Sequence, residues 1–220
     1  MIDYTLIRSS RKTLAIHITK EAAVTVRAPL KLKKADIDRF VSEKENWILK
    51  TVETQKWRLA SRINFSFNYG DKVKLCGKEY FIRAKQGNRV GFDGESFYIP
   101  PDLSCTHIKE AVIKIYKLAA KKIFNERVLR YSALMGVTPT AVKINSAKTR
   151  WGSCSGKNSL NFSWRLAATD EDLIDYVVVH ELAHIKEHNH SANFWATVAK
   201  FMPDFAERRH RLKSFTAPYV

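Results

Sequence analysis

The chain has 220 residues, 45% of them hydrophobic, and 38 Lys and Arg against 22 Asp and Glu give it a formal net charge of +16. That is enough chain for one large domain or two small ones with a buried core, and it excludes a disordered polymer. No run approaches the roughly 20 apolar residues of a membrane span, Met1-Ile2-Asp3-Tyr4 lacks the start of a secretory signal, and three scattered cysteines, Cys76, Cys105 and Cys154, read as reduced thiols in a cytoplasmic protein.

Residues 2–28 alternate in hydropathy, as in Leu14-Ala15-Ile16-His17-Ile18 and Ala23-Val24-Thr25-Val26. They predict two strands with a turn at Lys20-Glu21-Ala22, the second closed by Pro29. Ile37, Phe40, Val41, Ile48, Val52 and Trp57 recur at helical spacing and predict one helix from Lys34 to Arg58. A second β stretch follows. Val73–Leu75 and Tyr80–Arg83 flank a turn at Gly77-Lys78, and Arg89–Phe92 and Phe97–Ile99 flank Asp93-Gly94-Glu95. Pro100-Pro101 then marks the expected boundary between a β-rich N-terminal region with one helix, 1–101, and a helical core, 102–220. Cys76 and Cys105 read as packing residues.

Thr106 to Met135 reads as one long helix closed by Gly136. Residues 105–150 hold ten Lys and Arg against two acids, whereas residues 151–220 hold eight against eight. The basic excess suits anionic partners such as nucleic acid, nucleotides or acidic proteins, and a solvated face that only aids solubility accounts for it equally well. Ala141 to Asn145 reads as a strand. Arg150–Cys154 and Ser159–Trp164 read as a hairpin over Ser155-Gly156-Lys157-Asn158. Thr169 is the expected cap of the next helix, with Asp170, Glu171, Asp172 and Asp175 placed by the helix dipole.

That next helix carries the chemistry. Leu173 to Val179 is mostly apolar and runs without Gly or Pro into His180-Glu181-Leu182-Ala183-His184. At 100° per residue, His180 and His184 share one face about 6 Å apart along the axis, a spacing that lets two imidazoles converge on one tetrahedral zinc. Glu181 points in the neighbouring direction, where it can act as general base toward a water on the metal. A third ligand is needed. His188 on a continued helix lies about 12 Å from His180, too far to share the ion. A chain that leaves the helix between Glu187 and Asn189 brings His190 back instead, with Asn189 suited to a left-handed helix end and Ser191 to the next N-cap. Glu207 is the other donor the sequence offers, and His210 lies in a basic run that reads as solvent-facing. The closing segment, Phe194 to Leu212, reads as amphipathic.

Arg150-Trp151-Gly152-Ser153-Cys154-Ser155, Tyr176 to His184, His190-Ser191, Phe194-Trp195 and Met202-Pro203 resemble the YgjP-like metallopeptidases. Val26-Arg27-Ala28-Pro29 and Glu43 to Ile48 extend the resemblance over nearly the whole chain. The resemblance implies an α+β protein whose C-terminal part is a zincin-like core. It implies one zinc ion held by His180, His184 and His190, with Glu181 as acid and base, and a peptide or protein substrate. In zincin-like architectures a strand beside the metal helix can pair with an extended substrate, which would let Arg150 and Cys154 meet it, and plain sheet packing accounts for the hairpin equally well. Two further readings keep the metal. One is hydrolysis of a nucleoside triphosphate, its phosphates held by Lys and Arg. The other is a protease recruited to nucleic acid, similar in idea to SprT-like proteins.

Overall fold

The structure is a computed structural model and describes residues 2–63 and 67–215. Its contacts divide the chain into two compact units, one ending at residue 65 and the other beginning at residue 66. In the first, strands β1 (Thr5–Ser9), β2 (Ala15–Ile18) and β3 (Val24–Pro29) form a sheet in the order β1-β3-β2, with β1 parallel and β2 antiparallel to β3. The β2–β3 turn lies where expected, and the Thr19 hydroxyl accepts from the backbone of Glu21 and Ala23 to hold it. The parallel strand β1 is an addition to the expected pair. Helices α1 (Lys34–Glu43) and α2 (Glu45–Ile63) replace the single expected helix. The break at Lys44 has neither Gly nor Pro, so periodicity reads straight through it. Alternate residues Val24, Val26 and Ala28 of β3 pack on Ile37, Val41 and Ile48 in an aliphatic core.

The second unit holds a four-stranded sheet, a three-stranded sheet and four α-helices among the described residues. Strands β4 (Lys72–Leu75), β5 (Lys78–Ala84), β6 (Gly91–Phe92) and β7 (Ser96–Ile99) lie in the order β4-β5-β7-β6. The β4–β5 hairpin turns on Cys76 and Gly77, both at positive φ, one residue earlier than the sequence suggests. Positive φ at both central positions matches the twist of the flanking strands. The division after residue 65, not after Pro101, has a packing reason. The sheet closes the core of the later residues: β7 packs on α3 (Cys105–Met135), the Tyr116 hydroxyl donates to the Lys74 carbonyl, and the Cys76 N–H bonds the Ala167 carbonyl at 2.8 Å. Cys76 is half-buried, but Cys105 is exposed at the start of α3 and its thiol bonds Asn68, so it is not a packing residue.

Strand β8 (Ala141–Asn145) runs parallel to β10 (Ser159–Ser163), and β9 (Gly152–Cys154) pairs antiparallel on the far side, which makes β9 an edge. A short 3-10 turn over Trp164–Ala168 leads into helix α4 (Glu171–Ala183). Thr169 does not cap α4. It is fully buried, its hydroxyl donates to the Leu166 carbonyl, and Asp170 takes the N-cap position instead. Between Leu173 and Ala183 every residue except Asp175 and His180 is buried, because α3, α5 (Ala192–Phe201), α6 (Phe205–Ser214) and β9 all pack against α4. A helix apolar on nearly all sides belongs in a core. No helix among the described residues is long and apolar enough to cross a membrane.

Candidate metal centre

The expected helix break occurs, but earlier and by another route. Helix α4 ends at Ala183, and the chain turns through Ile185 N–H to the Leu182 carbonyl and Lys186 N–H to the Ala183 carbonyl, at 3.1 and 3.0 Å. Such i to i+3 bonds tighten a last helical turn and satisfy its orphan carbonyls. Asn189 is not among the residues at positive φ, so no left-handed residue ends the helix. The Lys186 ammonium bonds the Met135 carbonyl at 2.7 Å, pinning this turn to the end of α3. Ser191 caps α5 by accepting from the Phe194 N–H at 3.2 Å.

This reversal brings His180, His184 and His190 together, with one ligand atom from each within 4.8 Å of the others. Two of these, the Nε2 atoms of His180 and His190, are 3.0 Å apart. Two ligands on one tetrahedral zinc sit about 3.3 Å apart, given bonds of about 2.0–2.1 Å. The His184 Nδ1 lies 3.1 Å from the Glu187 carbonyl, an arrangement that turns its Nε2 lone pair toward the other two rings. Burial, and then the neighbouring His184, His190 and Arg209, pushes the His180 pKa down to about 3, so this ring is held neutral, the form in which an imidazole can ligate a metal. Its buried Nδ1 has no hydrogen-bond partner. Packing orients the ring instead. Phe194, fully buried, lies 4.9, 4.5 and 4.7 Å from the His180, His184 and His190 ring centres, and Trp195 stacks on His190 at 5.6 Å. Neutral imidazoles converging on one point fit a divalent cation. Glu207 and His188 are exposed and stand outside this group.

Glu181 is 6% exposed, unusual for a carboxylate. Burial pushes its pKa up to about 8, opposed by a hydrogen bond from the Cys154 backbone. The carboxyl lies against β9 because Gly152 has no side chain: a Cβ there would stand 2.7 Å from Oε1 and 2.8 Å from Cγ of Glu181. Cys154 therefore meets Glu181 through its backbone, while its thiol is raised in pKa by burial and by the Glu181 charge. Arg150 is exposed, just before β9. A cavity of about 190 Å³ opens beside the pair, lined by His180, Glu181, Trp151, Val177, Leu212 and Arg209 among others. A larger one, about 620 Å³ between α3 and the four-stranded sheet, holds no histidine. Size alone therefore does not locate the chemistry. Gly152, Phe194 and the α6 residues escape the sequence reading because their roles come from contacts across elements. The RWGSC run was visible only as a motif.

A family model described as "YgjP-like, metallopeptidase domain" matches residues 12–215. Among solved structures, the metallopeptidase zymogen of Pyrococcus abyssi abylysin is similar at 24% identity and a TM-score of 0.38, over 40% of this chain and 90% of that one. The metallopeptidase zymogen of Methanocaldococcus jannaschii jannalysin is similar at 24% identity and a TM-score of 0.36, over 42% of this chain and 92% of that one. No functionally curated protein matches the chain.

Proposed function

The chain belongs to the YgjP-like metallopeptidase family, metal-dependent peptidases, and on that premise we propose that it hydrolyses peptide bonds with one zinc ion held by His180, His184 and His190. When bound, zinc with three protein ligands and one open position supplies Lewis-acid activation of water and of the scissile carbonyl. Glu181 is the general base and acid. Its carboxylate takes a proton from the attacking water and returns it to the leaving nitrogen. Burial raises the Glu181 pKa in the metal-free chain, and a bound cation beside it would favour the carboxylate that accepts the proton. The Cys154 N–H and the bare Cα of Gly152 fix where the carboxyl sits. Edge strand β9 is the surface along which an extended substrate adds, within reach of Arg150 and Cys154.

The observation that carries this reading is the meeting of three imidazoles beside a buried carboxyl one residue along the same helix. Its test is elemental analysis with peptide-hydrolysis assays. Stoichiometric zinc in the wild type, its loss in His180→Ala, and a drop in kcat of about 10²–10⁴ with zinc retained in Glu181→Gln are the expected results. Purified wild-type protein that binds no divalent metal would refute it.

A further inference from the structure

Helix α6 carries four Lys and Arg residues, and they divide into two kinds. Arg208 pairs with Asp204 at 2.8 Å, and Arg211 with Asp172 and Asp170 at 2.5 and 2.8 Å. Arg209 and Lys213 have no carboxylate partner among the described residues. They stand one helical turn apart, on the face that lines the 190 Å³ cavity beside His180 and Glu181. Arg209 is not loose: its guanidinium sits 4.9 Å from the Trp195 ring centre, and Trp195 in turn stacks on Phe205 at 5.2 Å. A neutral aromatic surface holds the cation in place and leaves its charge uncompensated. Glu181, the one acid that lines the cavity, turns its carboxyl to the β9 backbone.

Trp151, Gly152, Val177 and Leu212 make the apolar part of the wall, and Tyr176 adds an aromatic ring with a hydroxyl. A volume of 190 Å³ suits one side chain. It is below the roughly 300–1,000 Å³ of sites that enclose a whole small molecule.

Resting on the peptidase reading, we propose that this cavity is a specificity pocket for a substrate residue with a short hydrocarbon stem and a carboxylate, and that Arg209 and Lys213 recognise the carboxylate. The stem fills the apolar part and the anion meets the two cations. Two sources share this chemistry: a Glu or Asp side chain, and the free C-terminus of a peptide cut near its end.

A neutral, fluorescein-labelled hexapeptide of Ala and Leu separates them. It is prepared with Glu or Gln at each position in turn, and with a free or amidated C-terminus. Binding to the full-length, zinc-loaded Glu181→Gln protein is read by fluorescence anisotropy, so no turnover is needed. Glu at one position, or the free carboxylate, is expected to bind about tenfold tighter than its uncharged counterpart, the scale of a hydrogen bond to a charged group. Adding R209A and K213A to that protein brings the ratio close to one, and R209K instead restores most of it. Both side chains are exposed, so the double variant folds normally, which a melting curve checks. Absence of a preference, or a preference that survives the double variant, overturns the proposal. Cleavage of the same peptides by the wild type is scored separately. Cleavage without a carboxylate preference leaves the peptidase reading intact and removes this one, whereas charge-selective binding with no cleavage does the reverse.

Discussion

The two ends of helix α4 handle charge in opposite ways. At the start, every acid has a cation: Asp170 and Asp172 meet Arg211, and Glu171 and Asp175 meet Arg127 at 2.6 and 2.7 Å. At the finish, three imidazoles cluster within 4.8 Å, and the buried Glu181 carboxyl beside them has no ion-pair partner among the described residues. Closed pairs hold helices together. Buried polar groups without an opposite charge are costly, and they mark a place where something from outside can complete the set.

Variants at each end sharpen that contrast. The largest effect is expected at the finish, from Phe194→Ala. It opens a hole under all three imidazoles, so it should cost about 3–5 kcal/mol of stability and weaken zinc binding about 10–100-fold. Denaturant unfolding and a competitive zinc titration measure the two losses, and undiminished zinc affinity would mean that the rings do not depend on packing. At the start, Arg127→Ala leaves the half-buried Asp175 with the Tyr131 hydroxyl but no cation and should cost about 2 kcal/mol. Zinc content should not change, because no metal-site residue touches Arg127.

The third variant probes pH. In the metal-free protein the Glu181 pKa is raised from 4.5 to about 8, so the fold favours its protonated form. The unfolded chain then holds fewer protons than the native one between those values, and stability falls as pH rises from 4.5 to 8. Glu181→Gln lacks this loss. It should match the metal-free wild type near pH 4.5 and exceed it by a few kcal/mol at pH 9, at ~1.4 kcal/mol per pKa unit. Denaturant midpoints across the range decide it, and parallel curves for the two proteins would contradict it. The smallest effect belongs to Arg211→Ala, whose partly exposed pairs should be worth about 1 kcal/mol or less by thermal melting.

What the sequence revealed depended on distance along the chain. The His180, Glu181 and His184 arrangement follows from helical period alone, and a reversal after His184 follows from the need for a third donor. Ser191 and Gly136 announce their roles as caps through local chemistry. Long-range facts were hidden. Strand β1 pairs with β3 in parallel, twenty residues apart in register, with no turn signal to reveal it. Thr169 looked like a cap because its neighbours are acids, yet burial turned its hydroxyl back on Leu166. The Pro100-Pro101 pair looked like a boundary, yet Tyr69 bridges the Pro100 carbonyl and the Leu103 N–H across it. Phe194 read as one more apolar position of an amphipathic helix, and only the fold places it beneath the histidines.

The missing side chain at Gly152 ties two motions together. With Glu181 resting on the backbone of β9, a shift of that strand changes the surroundings of the carboxyl proposed to carry the proton. On the proposed reading, a ligand that lies down on that edge presses on the acid–base group through the strand itself. Seating and proton transfer would then be joined through one strand, and even a methyl group at position 152 would push the carboxyl off it.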